Sequence, residues 1–248
     1  MNVFMDHAET IISSSVTPLF ERTVGELVAE RPGRSRIFQA FGIDFCCRGK
    51  QILREACALK GVPFEEVLSE FAVEFQGSHK GAPNPAKLST KNLIAHITLH
   101  HHDFLRKELP RLHAMAEKVA QVHGEANPSL CEVYEVFCAL EADLLPHLLE
   151  EEEILFPAVL KAEREKSAEI SLDGPIDCLE HEHEEAGAQL SELRTLTNNF
   201  LPPADACNTY RALFAGLEEL EKDLHLHIHL ENSVLFPRAE GFCRPESY

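Results

Sequence analysis

Beyond position 90, apolar residues recur at intervals of three and four, and no stretch alternates with the two-residue period of a strand. The pattern predicts four long helices, near 90–123, 129–165, 175–198 and 203–235, separated by "HGEANP", "EISLDGP" and "NNFLPP". Helices of that length with short connections fold as an antiparallel up-down bundle. Pro110, Pro146 and Pro157 fall within the pattern and are expected to kink helices rather than end them all. Before residue 77 the periods are shorter. Thr23-Val24-Gly25-Glu26 has capping-box spacing and opens a helix through about Arg31. Short helical patterns follow at about 33–41, 49–60 and 63–76. The chain therefore reads as all-α: a loose leader over 1–16, a small helical domain over 17–77, a Gly- and Pro-rich linker over 78–88, and the four-helix bundle over 89–248.

Two stretches of the bundle repeat each other. "HLLEEEEILFP" at 147–157 and "HIHLENSVLFP" at 227–237 both spell His, three residues, Glu, three residues, Leu-Phe-Pro. Asp143, His147 and Glu151 stand at i, i+4 and i+8, as do Asp223, His227 and Glu231, always eighty residues apart. "HDFLRKEL" at 102–109 faces "HEEAGAQL" at 183–190 with an offset of 81. The bundle thus reads as two related hairpins, each giving one His from its first helix and a His plus a Glu from its second.

Helical phase chooses among neighbouring histidines, because residues two apart are rotated by about 200°. His183 shares a stripe with Ile176, Leu179, Ala186 and Leu190, whereas His181 lies with Asp177, Glu184 and Glu185. His227 aligns with Leu220, Leu224, Glu231 and Val234, and His225 and His229 fall on the other face with Glu221 and Asn232. In the run 100–102, His102 fits Ala95, Leu99, Leu105 and Leu109 and also the hairpin offset; His101 shares Leu105 and stays open.

Four inward imidazoles and two inward carboxylates change the picture from packing to chemistry. Unpaired buried carboxylates each cost several kcal/mol or take up protons, and a pair of cations removes that penalty. Six ligands are too many for one tetrahedral zinc. Shared between two ions they give two His nitrogens each, with Glu151 and Glu231 bridging, and this donor set suits iron or manganese. Asp143 and Asp223 are candidates for accepting the outer ring N–H of a ligand histidine.

Composition narrows the class further. A net charge of −18 over 248 residues argues against nucleic acid or an anionic membrane as partner. No apolar run reaches the length of a membrane span, and the N-terminus, with Asp6 and Glu9, is not patterned as a secretory signal. Eight cysteines without such a signal point to the reducing cytoplasm. The vicinal pair Cys46-Cys47 precedes a helical pattern and sits beside Arg48 and Lys50, which predicts lowered thiol pKa values and a redox or transfer role.

With "IDFCCRGKQ" at 43–51, "HHHDFLRKELP" at 100–110, "HEHEEAG" at 181–187 and "HIHLENSVLFPRA" at 227–239, the chain from about residue 17 onward resembles the iron–sulfur cluster repair di-iron proteins. These join a small cysteine-bearing domain to a hemerythrin-like bundle. The resemblance implies an oxo- or hydroxo-bridged di-iron centre held by His102, His147, Glu151, His183, His227 and Glu231. It also implies cytoplasmic repair of iron–sulfur proteins damaged by nitric oxide or oxidants, by iron donation. Alternatives for the same centre are a nitric oxide or peroxide reductase, or a sensor binding oxygen or nitric oxide. The fifth histidine of oxygen-carrying hemerythrins is not evident. Clients and the choice between monomer and homodimer are not legible.

Overall fold

The computed structural model describes residues 18–76, 84–166 and 170–243. The expected leader and most of the expected linker lie outside the described residues. The chain divides into two compact units, with the boundary between Asn84 and Pro85.

Among its described residues the first unit holds four α-helices: α1 (Val24–Glu30), α2 (Arg34–Ala40), α3 (Leu53–Lys60) and α4 (Phe64–Gln76). The capping box forms as its spacing predicts. Glu26 N donates to Thr23 Oγ1 at 3.2 Å, and Thr23 N donates to Glu26 Oε2 at 3.1 Å. Phe38 centres the small core, with Phe45 stacked at 6.3 Å and Phe71 edge-on at 5.7 Å between ring centroids.

The second unit is the bundle. Its first long helix comprises α5 (Thr90–Ile97), a five-residue π-helical segment π1 (Thr98–His102) and α6 (Asp103–His123). The second comprises α7 (Ser129–Glu150), π2 (Glu151–Leu155) and α8 (Phe156–Glu165). The third is α9 (Asp173–Leu196), and the fourth is α10 (Asn208–Leu230), π3 (Glu231–Leu235) and α11 (Phe236–Cys243). Contacts close the ring of four: α6 packs on α7, α7 on α9, α9 on α10 and α10 on α6. Leu109, Leu112, Phe137, Leu140, Leu190, Leu193, Leu217 and Leu220 fill its centre.

The fourth helix starts at Asn208 rather than near 203 and runs on to Cys243, past the expected end at 235. Pro110 and Pro146 lie inside continuous helices. Pro157 and Pro237 each stand two residues after a π segment, where the missing proline N–H removes a rung from the helical ladder. The three π segments decide which side chains reach the bundle interior. Each inserts one residue into a turn, so two consecutive side chains face the bundle axis where an α-helix turns one of them away.

Candidate metal centre

All six candidate ligands converge inside the bundle. His102, Glu151 and Glu231 are fully buried, and His147, His183 and His227 nearly so. They form two overlapping sets whose ligand atoms lie within 4.8 Å of one another. One is His102, His227, Glu151 and Glu231; the other is His147, His183 and the same two glutamates. His102 Nε2 faces His227 Nε2 at 3.0 Å, and His183 Nε2 faces His147 Nε2 at 3.1 Å. Glu151 Oε2 stands 3.4 Å from His102 Nε2 and 3.5 Å from His147 Nε2, so it reaches both halves. Glu231 does the same, with Oε1 at 3.0 Å from His227 Nε2 and Oε2 at 3.3 Å from His183 Nε2.

These separations suit a cation better than a hydrogen-bonded core. Both oxygens of Glu151 and Oε2 of Glu231 are buried with no hydrogen-bond donor among the described residues. Orphaned buried carboxylate oxygens are expensive, and a cation among them removes that cost. Ligand atoms ~2.1 Å from one ion and at right angles lie about 3 Å apart, which is the spacing seen.

The outer nitrogens explain how the rings are aimed. His102 Nδ1 donates to Glu152 Oε1 at 2.7 Å, His147 Nδ1 to Glu182 Oε2 at 2.7 Å, and His183 Nδ1 to Asn232 Oδ1 at 2.8 Å. Glu152 and Asn232 directly follow the shared glutamates, and the π segments let both members of each pair turn inward. The two aspartates expected in this role are engaged elsewhere. Asp143 accepts from Gln189 Nε2 at 2.9 Å, and Asp223 accepts from His101 Nδ1 at 2.9 Å. The Leu-Phe-Pro repeats also acquire a purpose: Phe156 stacks on His102 with 5.8 Å between centroids, and Phe236 on His183 at 6.0 Å. These rings keep water from one side of each histidine.

His101 is buried beside His102 and stacks on His227 at 5.5 Å, but it belongs to neither ligand set. His181 is exposed, as its helical phase predicts. His229 is buried instead of lying on an outer face.

Protons are held unevenly in the metal-free site. Burial works against charge on His102 and His183, yet the Glu151 and Glu231 carboxylates outweigh it and raise them to about 10 and about 9. Burial, with neighbouring imidazoles, pushes His227 down to about 3. Burial and the like charge of Glu231 raise Glu151. Glu231 is held well below the carboxylate range, since His227, His102 and His183 together overcome its burial. A cavity of about 250 Å³ reaches this region, with Asp143, Glu150, Glu182 and Glu185 in its wall alongside His147 and His183.

In the first unit, Asp44, Cys46 and Cys47 bring their ligand atoms together, with Cys46 Sγ and Cys47 Sγ 3.7 Å apart. Here the expectation of a lowered thiol pKa is corrected for Cys46. Helix α3 starts only at Leu53, and Asp44 Oδ1 takes the backbone N–H groups of Cys46, Cys47 and Arg48 at 3.0–3.3 Å. The amides thus serve a carboxylate rather than a thiolate. The Cys47 thiol, burial and Asp44 all push the Cys46 thiol well above its usual range.

A buried His/Glu cation site on a helical bundle defines the hemerythrin-like class, and the Hemerythrin HHE cation binding domain family matches residues 93–239. A second family, ScdA_N, a domain of unknown function, matches residues 20–73. The iron–sulfur cluster repair protein YtfE of Musicola paradisiaca is 39% identical over 219 residues, 88% of this chain and 96% of its own length. YtfE of Dickeya chrysanthemi is 38% identical over 220 residues with the same coverage, as is a probable iron–sulfur cluster repair protein of Haemophilus influenzae at 35%. The chain belongs to the iron–sulfur cluster repair family of hemerythrin-like proteins.

Proposed function

We propose that the protein binds two iron ions in the bundle and donates iron to iron–sulfur proteins damaged by nitrosative or oxidative stress. The observation that carries this reading is the sharing of two buried carboxylates, three of whose four oxygens have no hydrogen-bond donor among the described residues, between two pairs of imidazoles. His102 and His227 would hold one ion and His147 and His183 the other, with Glu151 and Glu231 available to both. Bound iron supplies an exchangeable ion and a redox couple. The chain supplies the rest. Glu152, Glu182 and Asn232 fix the tautomers of their histidines, and Phe156 and Phe236 limit water.

The names of the relatives support damaged iron–sulfur proteins as partners. Among the described residues no helix is long and apolar enough to cross a membrane. We assign the site of action to the cytoplasm, where such clients and reduced thiols coexist. The test is to incubate the iron-loaded protein with a nitrosylated iron–sulfur enzyme and measure recovery of its activity. Recovery that needs the loaded protein and fails with Glu151→Ala supports the proposal. Equal recovery with free ferrous ion alone refutes it.

A further inference from the structure

The two hairpins are related by offsets of 80 and 81, so the features of one half can be set against those of the other. Glu152 holding His102 is matched by Asn232 holding His183, and Phe156 on His102 by Phe236 on His183. One correspondence fails. Glu182, the residue before His183, accepts from His147 Nδ1, whereas the residue before His102 is His101. His101 Nδ1 is committed to Asp223, and its ring lies nearly parallel to that of His227, at 5°. His227 Nδ1 is therefore buried with no acceptor among the described residues, alone among the outer nitrogens of the four ligand histidines.

An acceptor on the outer nitrogen raises the basicity of the inner one and fixes the ring, and losing such a partner typically weakens metal binding about 10–100-fold. We infer that the two metal positions are inequivalent: the ion held by His102 and His227 is the labile one, released first, while the ion held by His147 and His183 is retained. This rests on the dinuclear reading above and adds which half of the site serves as the donor. His101 is the residue responsible. It occupies the place of an acceptor and withholds one from His227.

The test loads the full chain anaerobically with ferrous ion, counts the metal, and then follows release to an excess of a chromophoric ferrous chelator by stopped flow. The expected wild-type result is two ions per chain leaving in two equal phases, with rates at least about tenfold apart. His101→Glu places a carboxylate where Glu182 stands in the other half, and it should slow the fast phase about tenfold or more while leaving the slow one alone. Asn232→Leu removes the acceptor of His183 and should speed the slow phase about 10–100-fold, merging the two. A content that never exceeds one ion overturns the dinuclear reading and the inference with it. Two ions leaving at one rate in the wild type overturn the inference alone. So does a His101→Glu effect on the slow phase, or an Asn232→Leu effect on the phase that was already fast.

Discussion

The run of four glutamates at 150–153 offers a graded test, because the structure gives neighbouring and chemically identical side chains different work. Glu151 is fully buried and stands within reach of both His102 and His147. Glu152 is about one-quarter exposed, accepts from His102 Nδ1 and is paired with Arg106 Nη2 at 2.9 Å. Glu153 is exposed. Replacing Glu151 with Ala removes a ligand common to both sets, so both ions should be lost or bound far more weakly. Replacing Glu152 with Ala leaves a fully buried imidazole without its outer partner, which costs about 1–3 kcal/mol for an unsatisfied buried donor. Through the metal, the same change should lower affinity about 10–100-fold, or roughly 1.4–2.8 kcal/mol. Glu152→Gln keeps a neutral acceptor and should recover part of the loss. Glu153→Ala should bind as the wild type does. Competition against a ferrous chelator, with circular dichroism as a check on folding, resolves all four. Equal affinities for Glu152→Ala and Glu153→Ala would refute the role given to Glu152.

The metal-free protein should be most stable near pH 6.5. His102 and His183 have folded-state pKa values above their ordinary 6.5, so their contribution is complete below that pH and fades as pH rises through about 9 to 10. His227 is depressed to about 3, so its contribution is present above 6.5 and is lost as pH falls toward 3. Urea midpoints of metal-free protein from pH 4 to 10 check this, and a flat or monotonic profile would count against the proton assignment. His229→Ala should lower the thermal midpoint while His181→Ala leaves it unchanged, since only the former side chain is buried. Cys46 should resist iodoacetamide at pH 7.5 in the folded protein, because its thiol is buried and its thiolate disfavoured; rapid alkylation mapped to Cys46 by mass spectrometry would overturn that description.

Much of the site is legible in the sequence because it follows regular helical phase. His183 over His181 comes from a 200° rotation, and the hairpin repeat singles out His147, Glu151, His227 and Glu231 against a background of many His and Glu. What is not legible lies where the helix departs from 3.6 residues per turn. Glu152 and Asn232 fall a step out of phase on an α-helical projection and turn inward only because π2 and π3 add a residue. The ambiguity between His101 and His102 has the same origin. Both are buried because π1 spans them, so choosing one to face inward poses the wrong alternative. The Leu-Phe-Pro repeat marks these places, since a proline two residues on is compatible with a widened turn. For Cys46 the missing piece is a loop conformation: nothing in "IDFCCRGKQ" announces that Asp44 captures three successive backbone amides.

Joint binding of two ions by Glu151 and Glu231 is tested most directly by anaerobic titration of the metal-free protein with ferrous ion, with bound iron counted by elemental analysis after gel filtration. Shared carboxylates predict saturation at two ions per chain, and a fall below one when either glutamate is replaced by Ala. Saturation at a single ion, or a glutamate variant that still holds two, would contradict joint binding.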